Sequence, residues 1–269
     1  MDDASPSLPE YIRVDHRGFC WWCGQLADSR EHKYKRSDAV GEFGGGAWRD
    51  PIVRVTHGGK EQRIQGPNSQ GLKFGRSLCR RCNNARSSPF DESYAELMLY
   101  VSDNESLILN KERFLQSTIF GRHWKEKRDD VLRFLIKHVG CRLAEERLAV
   151  PRSFDRFLDG ADRRPSGVAI CLNVRLDIVE WERHLREMHG EVPGSLWLGE
   201  IDVRYDSSTQ SLTYASSHMG VGPVRFSYEV FFDHRRPVTN LARNKVRVPL
   251  LRNVPSGLFA AECADCKMA

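Results

Sequence analysis

Six of the eight cysteines fall in three C-x-x-C pairs: Cys20/Cys23 in FCWWCG, Cys79/Cys82 in LCRRCN and Cys263/Cys266 in AECADCKMA. In a reducing compartment such pairs are metal knuckles or redox dithiols more often than disulfides. A tetrahedral zinc site takes four soft ligands from two short turns, and the first two pairs supply them. Residues 24–78 separate those pairs, far more than the roughly 15–20 residues of a simple four-cysteine ribbon. A substantial insertion must therefore lie between the knuckles. A redox dithiol is the rival reading for Cys20–Cys23, although no βαβ pattern surrounds it. Cys141 and Cys171 read as buried core thiols, and Cys263–Cys266 reads as a tail or a minor ligand pair.

Two polar segments flank the knuckles. DSREHKYKRSD (28–38) lies between them and CNNARSSPFD (82–91) follows the second, so a shared zinc would bring the two together. Phosphodiester hydrolysis needs a base to activate water, and imidazole suits that task near neutral pH. It also needs charge stabilisation at the phosphate, which a hard cation on oxygen ligands can give. Glu31 and His32 place an acid and an imidazole side by side, and Asn83, Asn84 and Asp91 are oxygen donors on the other segment. Lys33, Lys35, Arg36, Arg80, Arg81 and Arg86 surround the spot with phosphate-binding charge.

With these residues in place, the sequence resembles the zinc-knuckle branch of the HNH (ββα-metal) endonucleases over about residues 16–91. The pattern reads Cys20-x-x-Cys23, Glu31-His32, Cys79-x-x-Cys82-Asn83 and Arg86. The resemblance implies that His32 is the general base and that Glu31 and Asn83 hold a catalytic Mg²⁺ or Mn²⁺, with Asp91 a further candidate ligand. It implies a structural zinc on Cys20, Cys23, Cys79 and Cys82, and Arg86 stands where lysine is common. Asn83 replaces the last histidine of the pattern. Its middle asparagine has no counterpart at the usual offset before Cys79, Asn68 and Gln70 being nearest. The implied activity is metal-dependent endonucleolytic hydrolysis of nucleic acid, with DNA the expected substrate. A non-catalytic zinc module that binds nucleic acid or a protein partner is the alternative.

Each of these residues also has a plainer role open to it. Glu31 can pair with Lys33 or Arg36, and Asn83 and Asn84 can shape the turn after the knuckle. Asp91 falls at N3 of a helix expected to be capped by Ser88 in SPFD. Phe19, Trp21 and Trp22 are expected to form the knuckle's small core. His16, His57 and the Asp233–Arg236 stretch have no informative partners.

Charge is unevenly placed. Residues 1–90 hold 15 Lys+Arg against 10 Asp+Glu, while residues 91–269 hold 26 of each, so the net charge of +5 sits wholly in the first third. Mean hydropathy is −0.52 and no apolar run approaches the roughly 18 residues of a membrane span. With no apolar leader region in MDDASPSLPE, a cytoplasmic protein without membrane association is expected.

The elements that must position the site read as α+β. IVRVT (52–56) and KEQRIQG (60–66) look like a hairpin within the insertion. Tyr94, Leu97, Met98 and Val101 repeat at helical spacing, and a second helix carries Val131, Phe134, Leu135 and Val139 and is expected to stop near Gly140. A short helix at 153–160, a strand at 168–174 and a helix ending at Gly190 follow. WLGEIDVRY (197–205), QSLTYAS (210–216) and VRFSYEVFF (224–232) read as an antiparallel meander joined through DSST and MGVG. The expected division is a zinc-centred ββα-metal module (11–90), a helical segment (91–150) and an α+β rear domain (151–269) that could support a homo-oligomer.

Overall fold

Buried apolar runs set the rear strands and helical apolar spacing sets the middle helices, while the front strands are short and mixed. In the computed structural model, residues 8–16, 18–48, 52–55, 61–190, 194–232 and 239–252 are described. The front elements are β1 (Ser29–His32), α1 (Arg36–Phe43), β2 (Ile52–Val55), β3 (Glu61–Ile64) and β4 (Lys73–Leu78). The middle comprises α2 (Ser88–Asp103), α3 (Glu105–Lys111), β5 (Arg113–Leu115), α4 (Gln116–Phe120), α5 (Trp124–Glu145) and α6 (Arg152–Leu158). The rear holds β6 (Val168–Arg175), α7 (Leu176–His189), β7 (Leu196–Leu198), β8 (Asp202–Asp206), β9 (Ser211–Val221), β10 (Val224–Phe231), β11 (Lys245–Arg247) and β12 (Leu250–Leu251). The protein is mixed α+β. No described helix is long and apolar enough to cross a membrane.

β1 pairs antiparallel with β4, and the expected insertion hairpin is the antiparallel pair β2–β3. β8, β9 and β10 form the expected meander, extended to a larger sheet in the order β12-β6-β10-β9-β7, with β8 also on β9. Val224, Phe226, Tyr228 and Val230 bury one face of β10, as period-2 alternation requires.

Four boundaries differ from expectation, each for a packing reason. α5 does not stop near Gly140 but runs to Glu145. A Cβ at Gly140 would lie 2.4 Å from the Trp21 ring, so this glycine admits a side chain rather than ending a helix. α2 is preceded by Ser87, not capped by Ser88, because a five-residue π-helical turn over Arg81–Ala85 leads almost directly into it. Asp91 consequently lies one position further into the helix than N3. The run WLGEIDVRY is two strands, broken where Gly199 faces the His218 ring, 2.3 Å from its would-be Cβ. The β9–β10 turn is at Gly222–Pro223, with Met219 still inside β9.

A continuous buried cluster runs from Ile12 and Trp22 in front to Val246 and Val248 at the rear. α5 is its axis: from Val131 to Ala144 all but one of its residues are buried, Arg133 being the exception. Tyr94 of α2 stacks on Phe134 of α5 at 3.9 Å between ring centroids and reaches Phe226 of β10 at 5.8 Å. The front strands meet the same helix through Phe74 on His138, at 5.0 Å. Cys141 and Cys171 are buried thiols, as expected. Cys263, Cys266, His57 and the Asp233–Arg236 stretch lie outside the described residues.

Candidate metal centre and polar site

The first knuckle is a tight hairpin turn. Cys20 N–H donates to Gln25 O at 2.7 Å and Gly24 N–H to Cys20 O at 2.8 Å. Gly24 has φ +73°, a left-handed conformation that glycine adopts without a Cβ penalty. The second knuckle follows β4 directly, and Trp21 N–H donates to Ser77 O at 3.1 Å, tying the two together. The sulfurs of Cys20, Cys23, Cys79 and Cys82 all lie within 4.8 Å of one another, and those of Cys23 and Cys79 are 3.6 Å apart. Four thiolates around one zinc at the usual bond length would be about 3.8 Å apart. These four cysteines could therefore hold one metal ion. Cys20, Cys79 and Cys82 are buried and Cys23 is half-buried. The Arg86 guanidinium donates to the Cys82 sulfur at 3.5 Å and lies over the Trp22 ring, a placement that would offset thiolate charge.

β1 carries Glu31 and His32 beside this centre. Its register with β4 shifts between Ser29 and Arg30 and again between Arg30 and His32, and such bulges re-aim side chains. Asn83, on the π-helical turn after Cys82, donates its amide to Ser29 Oγ (2.9 Å) and to Arg30 O (3.1 Å). Asn83 is thereby clamped to β1 with its carbonyl oxygen inward. Asn83 Oδ1 and His32 Nδ1 are both buried atoms with no hydrogen-bond partner among the described residues. Burial, reinforced by the nearby Lys73 and Arg36 cations, pushes the His32 imidazole down to about 4, so it is neutral at pH 7.

Glu31 faces inward, 8% exposed. Its carboxylate lies 3.1 Å from the ammonium of Lys137, a fully buried side chain of α5. Lys137 also reaches Asp91 Oδ1 at 3.4 Å and donates to Ser87 Oγ at 3.1 Å. Ser87 Oγ donates in turn to Asn83 O at 2.8 Å. Burial works against the Lys137 charge, but Glu31 and Asp91 outweigh it and hold the ammonium above the usual lysine range. One lysine thus joins β1, the π-helical turn and α2.

The six candidate phosphate-binding cations divide. Lys33 is buried, ion-paired with Glu145 at 3.0 Å and close to the Phe74 ring. Lys35 donates to the Asp91 carbonyl oxygen, and Arg86 pairs with Asp159. Arg36 and Arg81 are exposed; Arg80 is exposed with Asp28 at 3.5 Å. The outward charge is therefore narrower than composition suggests. Trp22 is buried as expected, its indole N–H on Asp159 Oδ1 at 2.6 Å, and Trp21 is half-buried against α5. Phe19 is not core: it is 65% exposed beside Leu26, which is 70% exposed. The knuckle is too small to enclose a third ring. His16 bonds Leu148 O through Nε2 at 2.7 Å.

Several polar residues here escape sequence reading. Asp38 of α1 accepts from the Tyr94 hydroxyl at 3.1 Å, and burial raises its carboxyl to about 7. His138 is fully enclosed, its Nε2–H donating to Lys33 O at 2.8 Å, and burial lowers it to about 4. The signal for Lys137 and His138 is a pair of polar, ionisable residues inside an apolar helical run, LIKHVGC. That run is visible in the sequence, but the partners of the pair are not. Comparison of the chain with protein-family models, with curated proteins and with solved structures finds no match in any of the three.

Proposed function

We propose that the front of this protein is a zinc-knuckle hydrolase of nucleic-acid phosphodiester bonds, with His32 as general base. The observation that carries this reading is the pair of buried polar atoms, His32 Nδ1 and Asn83 Oδ1, that have no partner among the described residues and lie on the two segments linked by the cysteine cluster. Buried acceptors are rarely left unpaired without a role. The four-thiol set fits zinc by its chemistry and spacing. That ion would fix the relative position of β1 and the π-helical turn and would take no part in the reaction itself.

In the step envisaged, neutral His32, in the tautomer that carries its proton on Nε2, accepts a proton from water at Nδ1. The water oxygen forms a bond to phosphorus while the bond to the leaving sugar oxygen breaks, and that oxygen takes a proton from solvent. Asn83 Oδ1 can accept from the attacking water and orient it. Arg36 and Lys73, whose charges act on His32, can hold the phosphate. The oxygen set nominated for Mg²⁺ or Mn²⁺ does not fit such an ion as it stands, because Glu31 and Asp91 are both engaged by Lys137. The step is accordingly assigned to the chain's own groups.

A nicking assay on supercoiled DNA with zinc-loaded protein, with and without added Mg²⁺ or Mn²⁺, tests this. His32→Ala should lose roughly 10²–10⁴-fold in rate with zinc content unchanged. Cutting by His32→Ala at the wild-type rate would overturn the assignment. The engagement of Glu31 by Lys137 favours the second reading, a basic zinc module that binds nucleic acid without cutting it. Binding by wild type, weakened by salt, with no cleavage under any of these conditions would support that second reading.

A further inference from the structure

We propose that the Lys137 ammonium is the resident cation of the Glu31–Asp91 carboxylate pair and keeps divalent ions off it. The inference concerns the polar site described above and borrows only its location from the hydrolase reading. Its test measures ion binding and so stands apart from hydrolysis.

The geometry carries the argument. Lys137 is fully buried, and its ammonium sits 3.1 Å from Glu31 and 3.4 Å from Asp91, with Ser87 Oγ as a third partner at 3.1 Å. An ammonium has three donor hydrogens, and these three oxygens account for all of them. Lys137 therefore makes, at the junction of β1, the π-helical turn and α2, the contacts with which a hard cation would be held. A divalent ion on Glu31 would share the pocket with a like charge about one side chain away, where repulsion is strong and poorly screened. The lysine cannot withdraw to solvent, because it projects from the middle of α5, which is buried on nearly all sides. Glu31 is itself buried against α5, with its carboxylate on the Lys137 ammonium. Lys35 adds a second positive side chain beside Asp91. The carboxylates of the site are thus matched by cations, and its polar atoms without a partner among the described residues are the neutral Asn83 Oδ1 and His32 Nδ1.

The experiment is a Mn²⁺ titration of zinc-loaded protein followed by the loss of the free-ion electron paramagnetic resonance signal. It compares wild type with Glu31→Gln, Lys137→Gln and the double variant. Wild type is expected to show no Mn²⁺ site that Glu31→Gln removes. Lys137→Gln should gain roughly a hundredfold or more in Mn²⁺ affinity, and the double variant should lose that gain. A wild-type Mn²⁺ site abolished by Glu31→Gln would overturn the proposal. So would a folded Lys137→Gln protein, checked by circular dichroism, that binds Mn²⁺ no better than wild type. If Lys137→Gln fails to fold, the comparison of wild type with Glu31→Gln decides alone. An absence of nuclease activity would bear on the hydrolase reading and leave this result intact.

Discussion

Replacing Gly140 by alanine should destabilise this protein, although the same change in an ordinary helix stabilises it. Alanine gains about 1 kcal/mol over glycine in a helix interior. Here the new Cβ would fall 2.4, 2.6 and 2.9 Å from Cζ2, Cη2 and Cε2 of the Trp21 ring. The ring has little freedom to retreat, because Trp21 lies between Cys20 and Cys23 and its backbone N–H is bonded to Ser77. Overpacking of this kind costs about 1–3 kcal/mol. The net expectation is a loss of roughly 1 kcal/mol, possible values running up to about 2 after the helix gain is subtracted. For a chain of this size a loss of about 1 kcal/mol lowers Tm by about 2–4 °C. Chemical denaturation of zinc-loaded Gly140→Ala against wild type measures it. A cycle with Trp21→Leu isolates the cause, since in that background Gly140→Ala should become neutral or stabilising. A Gly140→Ala protein more stable than wild type in the presence of Trp21 would refute the packing of the knuckle on α5. Lys137 lies on the preceding turn of the same helix, so this contact also fixes the knuckle relative to the ammonium that meets Glu31.

Two further outcomes are expected. Cys79→Ser should lower bound zinc, measured by metal analysis, from about one equivalent to none, and should lower the thermal midpoint; full zinc retention would remove Cys79 from the ligand set. The enclosed neutral His138, lowered to about 4, contributes stability that is complete above the unfolded value of about 6.5 and is lost as pH falls toward 4. The stability difference between wild type and His138→Gln should therefore shrink by up to about 3 kcal/mol between pH 7 and pH 4. Asp38, raised to about 7, shifts wild-type stability in the opposite sense over this range, but it is present in both proteins and cancels in the comparison. A pH-independent difference in urea titrations would show that His138 is not held neutral by burial.

The local elements were legible because each rests on near neighbours in the chain. The first two C-x-x-C turns, the β2–β3 hairpin, the apolar stripe of α2 and the alternation along β10 follow from local spacing, and these are present. Cys20, Cys23, Cys79 and Cys82 could be grouped from sequence because knuckle spacing is itself the ligand geometry. What sequence could not supply was direction. Lys33 and Arg86 have the composition of phosphate-binding residues, but Glu145 and Asp159, distant in sequence, engage them as ion pairs, and Lys33 is buried. Phe19 has the composition of core, but the knuckle leaves it outside. Gly140 has the form of a helix stop, and only the approach of Trp21, from more than a hundred residues away, explains why α5 continues through it. Glu31 and His32 were identifiable as an acid and an imidazole side by side. Whether that acid meets a metal ion or an ammonium depends on Lys137, which α5 delivers from the opposite side of the core. Charge and hydrogen-bond pairing across such separations depend on packing, and packing is a property of the folded chain.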